Sequence, residues 1–429
     1  MKIFLDSVGC RLNQSEIETM ARQLLASGHE IVADPSEAEK IIINTCVVTQ
    51  EAARDSRSRT RRYHRLNETA DIIATGCYAT ITPGDLQHIE GVDIVVLNMD
   101  KDKIAWVVDP SIPIGQSIFD LEPIQREYLA LQMGRTRAYV KVQDGCDNKC
   151  TFCITTIARG KSKSRRIGEI LSEIQGLAAS GCKEAVLTGV HLGSYGADLN
   201  SDFSLDSLVK SILDHTDIPR LRISSLEPWN IPEGFFDLWS NQRLLPHLHI
   251  PLQSGSDRIL RRMARRTNRA KFRDLVQTAR RAVPNINIST DLIAGFPGET
   301  EHDFEETYHY VAEIAFGRLH VFTFSGRPGT AANQMADQIP VPVRKERARK
   351  LIELGNRLSL DYHKRNNGST RSVLWEQEDS AGRWVGYSEN YIRVHAAYSG
   401  DLTNTITKTV ISDPTASGMS GQVLPADRI

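Results

Sequence analysis

Short apolar segments alternate with amphipathic, helix-like segments along most of this chain, and this alternation limits the folds available to it. In the first 130 residues, four strand-like segments are separated by segments whose apolar residues recur at helical spacing. The strand-like segments are Lys2–Val8, Ile41–Asn44, Ile72–Thr75 and Asp93–Leu97. Strands that alternate with helices predict a parallel sheet with helices on its faces. We therefore predict an N-terminal parallel α/β domain over residues 1–130.

The same alternation continues from residue 132 with six further strand candidates. They are Ala138–Gln143, Glu184–Thr188, Leu221–Ser225, Leu248–Pro251, Asn285–Asp291 and Arg318–Thr323. Six strand–helix units fit a partial barrel better than a complete eightfold barrel, which typically has about 250 residues. We predict a central partial (βα)6 barrel and a following crossover helix over residues 132–366.

The last 60 or so residues have a different pattern. Short alternating runs at Arg371–Glu376, Tyr391–His395 and Thr403–Val410 are separated by Gly, Asn and Asp turns. This pattern is typical of a small antiparallel β-barrel. We place that barrel at residues 367–429, which completes a three-domain fold of the α/β class.

The composition of the chain limits the binding partners and the cellular compartment that we expect for it. It has 429 residues, with 52 Lys and Arg against 53 Asp and Glu, so the net charge of −1 gives no whole-chain attraction to nucleic acid or to an anionic membrane. No segment approaches the roughly 18 apolar residues of a membrane span, and no signal-peptide pattern opens the sequence. Seven cysteines are too few for a disulfide scaffold of this length. We expect a cytoplasmic protein with reduced thiols that does not bind membranes.

Three of the cysteines follow predicted strands of the N-terminal domain. Cys10, Cys46 and Cys77 come after the first, second and third strand in turn. The carboxyl ends of parallel strands lie along one edge of a sheet, where ligand sites form. The positions predict that the three thiols share one rim of the domain. The alternative is three unrelated buried thiols.

A second cysteine group has the spacing C-x3-C-x2-C just after the first barrel strand. It consists of Cys146, Cys150 and Cys153. Zinc sites usually combine paired C-x2-C elements with further Cys or His ligands, whereas a cubane iron–sulfur cluster normally takes four thiolates. Three thiolates from one loop would leave one iron open to a substrate or cofactor. A zinc loop or a chance grouping is the alternative, and the remaining Cys182 is interpreted as a core thiol.

With these features the sequence resembles the radical S-adenosylmethionine methylthiotransferases. The motifs that carry the resemblance are the two cysteine groups with Ser7–Gln14, Asn44–Cys46, Thr75–Cys77, Leu187–Val190, Ser224–Pro228, His249–Asp257 and Asp291–Thr300. The sequence around Cys10 is most similar to that of the branch that acts on threonylcarbamoyladenosine in tRNA. The ribosomal-protein branch usually has Pro directly after its first Cys, where this chain has Arg11. Many relatives have a Pro-Tyr pair after the third cluster cysteine, and here the pair is Thr156-Ile157.

The resemblance implies an enzyme that attaches a methylthio group to carbon 2 of a modified adenosine beside the anticodon. It implies two [4Fe-4S] clusters, one at Cys146, Cys150 and Cys153 and an auxiliary one at Cys10, Cys46 and Cys77. It further implies two S-adenosylmethionine molecules: one is cleaved to a radical that activates the C–H bond, and the other methylates a sulfur from the auxiliary cluster. The implied partners are tRNA, bound partly by a TRAM-like C-terminal barrel, and a flavodoxin or ferredoxin electron donor. Alternatives are methylthiolation of isopentenyladenosine or of a ribosomal-protein aspartate, and a non-catalytic iron–sulfur RNA-binding scaffold.

Two further sets of residues are candidates for binding. Cofactor contacts are expected at the ends of the barrel strands, at Gly189, Ser225, Glu227, Gln253, Gly295 and Pro297. Glycine has no Cβ, so Gly295 would let the backbone approach an adenine ring closely. The alternative for each is a turn or packing residue.

The RNA-binding candidates come from two arginine-rich helices and the last domain. They are Arg57, Arg61, Arg62, Arg261, Arg265, Tyr387 and Arg393. Arginine pairs phosphate bidentately, and small β-barrels stack bases on aromatic rings. Solvated helix faces are the alternative for the arginines.

Overall fold

The computed structural model describes residues 1–112, 136–199 and 203–425. The predicted boundary between the first two domains, at 130–132, lies outside these described residues. Within them the predicted α/β class is confirmed, with a parallel N-terminal sheet, a central strand-and-helix domain and a closed C-terminal β-barrel.

The N-terminal domain is a five-stranded sheet in the order β2-β1-β3-β4-β5, and every neighbouring pair is parallel. Ile41, Ile42 and Ile43 of β3 are all fully buried, as expected for a central strand covered by helices on both faces. The strands are β1 (Lys2–Ser7), β2 (Glu30–Val32), β3 (Lys40–Thr45), β4 (Asp71–Gly76) and β5 (Ile94–Val96). The helices are α1 (Arg11–Ala26), α2 (Gln50–Leu66), α3 (Cys77–Ile81), α4 (Pro83–Gln87) and α5 (Ile104–Val108).

The central domain contains the six predicted strands, arranged as two parallel three-stranded sheets. Isolated parallel bridges from Leu221 to Leu244 and from Ser225 to His249 join the two sheets into a partial barrel. Its strands are β6 (Arg137–Lys141), β9 (Glu184–Thr188), β10 (Arg220–Ile223), β11 (His247–His249), β12 (Asn287–Ala294) and β13 (Arg318–Thr323). Between β6 and β9, a short antiparallel pair forms from β7 (Gln143–Asp144) and β8 (Lys163–Ser164).

Helices cover the outside of the barrel, and a long helix leads from it to the last domain. They are α6 (Thr155–Arg159), α7 (Ile167–Ala179), α8 (Leu205–His215), α9 (Asp257–Arg262), α10 (Arg269–Ala282), α11 (Glu301–Ile314) and α12 (Val341–Arg365). The apolar faces of α7, α8, α10, α11 and α12 form one continuous core with the strands, including Ile170, Leu208, Phe272 and Val311.

The C-terminal domain is a closed five-stranded barrel in the order β14-β15-β16-β18-β17. Its strands are β14 (Thr370–Glu378), β15 (Trp384–Ser388), β16 (Arg393–Ala396), β17 (Ile406–Ser412) and β18 (Met419–Val423). One pairing, β16 with β18, is parallel, so the predicted barrel is not antiparallel throughout. The strand predicted to start at Tyr391 starts at Arg393, because Tyr391 has a φ of 65° in the turn before it. A bulky residue in the left-handed region is strained and needs strong contacts to hold it.

Those contacts come from the other two domains. The Tyr391 hydroxyl accepts hydrogen bonds from Arg11 of the first domain at 2.8 Å and from Arg137 of β6 at 2.9 Å. The Arg222 guanidinium lies 4.4 Å from the centre of the Tyr391 ring, and Tyr387 stacks on the same ring at 4.9 Å. Burial opposes ionisation of this hydroxyl, but the charges of the three arginines outweigh burial and lower the pKa of Tyr391. The three domains therefore meet at one tyrosine, near the amino ends of the barrel strands.

A buried ion group holds the strands beside this junction. Glu184 is fully buried on β9 and receives Arg220 and Arg222 of β10, each at 2.8 Å. Burial would raise the pKa of Glu184, but the two arginines outweigh it and hold the pKa at about 2. Three charges buried together are stable only as a complete set.

We expect Glu184→Gln to lower the free energy of unfolding of the barrel by about 3 kcal/mol, because the substitution leaves two buried arginines without their carboxylate. Urea denaturation followed by tryptophan fluorescence measures the change. The pKa of Glu184 is lowered on folding from 4.5 to about 2, so its stabilisation is complete above pH 4.5 and is lost as the pH falls toward 2. The difference between the two proteins should shrink over that range. The surface pair formed by Glu169 and Arg165 provides the control, since Glu169→Gln should cost less than about 1 kcal/mol; equal costs for the two variants would contradict the account.

Candidate active site

The structure places Cys10, Cys46 and Cys77 at the carboxyl ends of three adjacent strands. Cys10 immediately precedes α1, Cys46 follows β3 and Cys77 begins α3 after β4. The register pairs Thr45 with Gly76, so Cys46 and Cys77 leave neighbouring strands at the same level. The three positions share one edge of the sheet, as the sequence predicts.

The three thiols influence one another electrostatically. Burial raises the pKa of Cys46 to about 12, and the nearby Cys77 and Cys10 add to that rise. Surrounding protein also raises the pKa of Cys10, although this residue keeps solvent-accessible surface and therefore lines a cleft. Thiols in such surroundings stay protonated until a metal replaces the proton.

Glycines with left-handed backbone precede three of the six cysteines and let the thiols lie close to neighbouring chain. A Cβ on Gly9 (φ 101°) would lie 2.7 Å from the Cβ of Cys46, and one on Gly76 (φ 104°) would lie 2.2 Å from the Thr45 carbonyl oxygen. At Gly145 (φ 67°) a Cβ would lie 1.9 Å from the carbonyl oxygen of Lys161. Only glycine fits these positions, which explains the Gly-Cys pairs in the sequence.

The second cysteine group lies in the loop between β7 and α6. The Asn148 backbone N–H donates to the Cys146 sulfur at 3.4 Å, and the Arg265 guanidinium donates to the Cys150 sulfur at 3.7 Å. Burial raises the pKa of Cys146 to about 11. All three thiols are half-buried, so they line a cleft and not the interior of the core.

The donor sets of both groups fit iron–sulfur clusters. Each group offers three thiols on loops shaped by glycine, and thiolate is the usual protein ligand of such clusters. The described His, Cys, Asp and Glu side chains include no group of three that converges on a single metal ion. A cubane cluster does not require such convergence: each thiolate binds a different iron, so the sulfur atoms lie farther apart than the ligands of a single metal ion.

Arg159, the last residue of α6, connects the two cysteine groups. Its buried guanidinium donates to Asn13 at 2.7 Å, to Glu16 at 2.8 Å and to Asp144 at 3.0 Å. The amide of Asn98 donates to the Ala158 carbonyl at 2.8 Å and lies 3.8 Å from the Cys77 sulfur. The helix that directly follows the C-x3-C-x2-C loop is thus anchored on the domain that carries the other three cysteines. No sequence motif identifies Arg159, because its partners are more than 100 positions away except for Asp144.

Glu227 and Arg265 form an ion pair beside Cys150. The Arg265 guanidinium donates to both Glu227 carboxylate oxygens, at 3.0 and 2.5 Å, and to the Pro251 carbonyl at 2.6 Å. The ring of Trp229 lies 4.5 Å from the same guanidinium. Arg265, predicted to contact RNA, is 6 % exposed and has no surface to offer a phosphate. We correct that expectation: Arg265 is a residue of the cysteine site.

The other predicted cofactor residues lie at the carboxyl ends of the barrel strands. Gly189 follows β9 beside Gln143, Ser225 follows β10, and Gln253 has a φ of 75° opposite Leu292 of β12. Gly295 follows β12, but the space its missing side chain leaves is occupied by Arg344, whose Cγ would lie 2.2 Å from a Cβ there. The space on the Cβ side of Gly295 is therefore occupied by Arg344, and a cofactor contact through the Gly295 backbone stays a prediction. The Pro297 carbonyl accepts a hydrogen bond from Arg262 at 3.1 Å.

The predicted RNA contacts fall into two groups. Four side chains are exposed: Arg61, Arg62, Arg261 and Arg393. Arg57 is half-buried and donates to the Tyr78 hydroxyl at 3.1 Å. Tyr387 is stacked on Tyr391 with Arg137 over its ring at 4.8 Å, so it belongs to the domain junction and not to a free stacking surface, which corrects the prediction for Tyr387.

A groove opens next to the cysteines of the first domain. It has a volume of about 650 Å³ and lies between the end of β1 and the start of α2, with Val8, Gly9, Thr49, Glu51, Arg54 and Asp55 among its lining residues.

Among the described residues, none of the helices has both the length and the apolar character that a membrane-spanning segment needs.

Comparisons with known proteins agree with this architecture. The Radical SAM superfamily pattern matches residues 140–311, and a second pattern, described as Uncharacterized protein family UPF0004, matches residues 2–97. The fold is similar to that of TsrM from Kitasatospora setae, a radical S-adenosylmethionine methyltransferase, with a TM-score of 0.57 at 14 % identity over 88 % of this chain and 79 % of that one.

Relatives of similar length match this chain over most of both sequences. The chain is 36 % identical to the threonylcarbamoyladenosine tRNA methylthiotransferase MtaB of Bacillus subtilis, over 94 % of this chain and 92 % of the relative. It is 38 % identical to the MtaB of Thermotoga maritima over 91 % and 90 % of the two chains. The tRNA-2-methylthio-N(6)-dimethylallyladenosine synthase of Bacillus cereus is 29 % identical over 99 % and 86 %. With two cysteine groups in a barrel and a flanking α/β domain, the chain belongs to the radical S-adenosylmethionine tRNA methylthiotransferases and is an enzyme of the MtaB-like type.

Proposed function

We propose that this enzyme converts N6-threonylcarbamoyladenosine beside the anticodon of tRNA to its 2-methylthio derivative. The observation that carries the proposal is the anchoring of both cysteine groups on one framework, through Arg159 and Asn98, in a chain whose MtaB relatives are 33–38 % identical. A reaction that removes hydrogen from a carbon and attaches sulfur to it needs both groups near the same atom.

The two cysteine groups have separate roles in this proposal. Cys146, Cys150 and Cys153 would hold a [4Fe-4S] cluster and leave one iron open for S-adenosylmethionine; Cys10, Cys46 and Cys77 would hold a second cluster. When bound, the first supplies the electron for radical formation from S-adenosylmethionine, and the second supplies sulfur. A one-electron donor such as flavodoxin or ferredoxin would complete the system, in the cytoplasm.

The surrounding protein controls charge at the first group. Arg265 places a permanent positive charge beside Cys150, which favours the thiolate over the thiol, and Glu227 fixes the guanidinium in place. Gly189, Ser225 and Gln253 line the same strand ends and would contact S-adenosylmethionine. Pro297 and Gly295 would act through the backbone that positions Arg262 and Arg344.

Transfer RNA would bind through the exposed arginines. Arg61 and Arg62 project from α2 of the first domain, and Arg261 projects from α9 of the barrel. Each can pair a phosphate, and such contacts position the RNA without reading its sequence. Arg393, on the exposed surface of the TRAM-like barrel, would extend this surface.

We expect anaerobic reconstitution to give about eight irons per chain, as two cubane clusters require. Cys150→Ala should lose about half of that iron, because it removes a ligand from one cluster only. Cys182→Ala is the control, since Cys182 lies in the barrel core and should not affect iron content. Iron and sulfide analysis with electron paramagnetic resonance provides the measurement. One zinc and no iron in the wild-type protein would refute the assignment.

Analysis of the modified nucleosides in tRNA identifies the substrate of the enzyme. In a strain that lacks this gene, mass spectrometry should show N6-threonylcarbamoyladenosine in place of its 2-methylthio derivative. Complementation with wild type should restore the derivative, and Cys150→Ala should not. Loss of 2-methylthio-isopentenyladenosine instead would favour the dimethylallyladenosine branch. Unchanged tRNA together with an unmodified ribosomal-protein aspartate would favour the ribosomal branch.

A further inference from the structure

One buried arginine near the cysteines has no acidic partner among the described residues. Arg327 lies in the loop after β13 and is 9 % exposed. Its Nε donates to the Val48 carbonyl at 3.2 Å, but its Nη2 is buried with no acceptor in the described structure. The other buried arginines of the site, Arg159 and Arg265, each have a carboxylate.

A second polar atom in the same loop is also left without a partner. The Ser325 hydroxyl is buried and forms no hydrogen bond with any described residue. A buried donor without an acceptor costs about 1–3 kcal/mol, and more when it is charged. Such groups are rare in folded proteins, and two of them only two residues apart in one loop indicate a place where a ligand supplies the acceptor.

The loop that carries them contacts both cysteine groups. Val48, which binds Arg327, is two residues after Cys46. The Ala332 N–H donates to the carbonyl of Thr151 at 2.8 Å, and Thr151 lies between Cys150 and Cys153. Arg327 is therefore located at the seam between the two groups, where the carbon that exchanges hydrogen for sulfur has to lie.

Apolar side chains at the same seam are exposed. Val48 is 43 % exposed and Ile157 of α6 is 50 % exposed. A Cβ on Gly329 would lie 3.1 Å from the Ile157 Cδ1, so Ile157 adjoins the loop of Arg327. Apolar surface next to one unpaired cation suits a ligand with a flat apolar part and an anionic arm.

We propose that Arg327, assisted by the Ser325 hydroxyl, binds the carboxylate of the threonylcarbamoyl group of the substrate nucleoside. The inference rests on the proposed function. Guanidinium pairs carboxylate bidentately, and the pair gains strength in a site shielded from water. An isopentenyl group has no anion and would leave the Arg327 charge buried and unpaired, so the same residue would disfavour the isopentenyl nucleoside.

The test compares two anticodon stem-loop RNAs with the reconstituted full-length enzyme. One contains N6-threonylcarbamoyladenosine, and the other contains its neutral carboxamide analogue. Fluorescence anisotropy should show that wild type binds the first at least about tenfold more tightly, as charge-assisted hydrogen bonds predict. Arg327→Gln should bind both RNAs equally, at the wild-type affinity for the carboxamide. Arg349→Gln, an exposed arginine on α12, should keep the wild-type preference.

A structural role for Arg327 predicts different results. If Arg327 only supported the fold, Arg327→Gln would lower the thermal midpoint and the iron content. We expect neither to fall without RNA, because the loss of the hydrogen bond to the Val48 carbonyl is offset by the removal of a buried charge that has no acidic partner. Arg327→Lys should keep part of the preference, since it keeps the charge but not the planar fork.

The remaining outcomes distinguish failure of the Arg327 inference from failure of the proposed function. Equal weakening of both RNAs by Arg327→Gln would show that the anion is a backbone phosphate, and would overturn the inference. Equal binding of both RNAs by an active wild type would overturn it as well. Wild type that methylthiolates only an isopentenyladenosine RNA would refute the proposed function itself.

Discussion

The buried carboxylate of Glu16 holds the two halves of the active site together. It belongs to α1, six residues after Cys10, and pairs with Lys101 at 2.5 Å, Arg159 at 2.8 Å and Lys141 at 3.5 Å. Lys101 comes from the first domain, whereas Lys141 and Arg159 come from the barrel. Burial would raise the pKa of Glu16, but these cations hold it well below its usual range. Because the side chains of Glu16, Lys101 and Arg159 are almost fully shielded from solvent, the seam between the domains is stable only when these partners are in place.

This constraint fixes the relation between the two cysteine groups. Cys10 immediately precedes the helix that carries Glu16, and Arg159 ends the helix that follows Cys153. A hydrogen-bonded link between these helices keeps the cysteine groups from moving independently, while Tyr391 joins the same domains at the opposite ends of the barrel strands. Chemistry that passes atoms between two centres needs fixed geometry more than it needs mobile domains.

The sequence predicts those parts that depend on local pattern and on the rules of parallel sheets. The strands, the cysteine positions and the six-stranded partial barrel follow from alternation and from the shared edge of parallel strands. Residues whose roles depend on distant contacts could not be predicted. Arg265 reads as one of a run of surface arginines, yet it is buried against Glu227. Tyr391 reads as a strand residue, yet contacts with Arg11 and Arg137, more than 250 positions away, place it in a left-handed turn.

The net charge of the chain is likewise a poor guide to the charge at any one place in the structure. A net charge of −1 describes the whole chain, whereas most buried arginines are neutralised by a particular carboxylate, as Arg222 is by Glu184. When arginines paired with a carboxylate are set aside, two kinds remain. The exposed arginines of α2 and α9 face solvent, and the buried Arg327 lies between the two cysteine groups. The first group would attract any RNA through its phosphates, whereas a buried cation favours a modified base that carries an anion over one that does not. In the proposed function, affinity and selectivity would therefore come from different arginines, because water screens the first set and the protein shields the second.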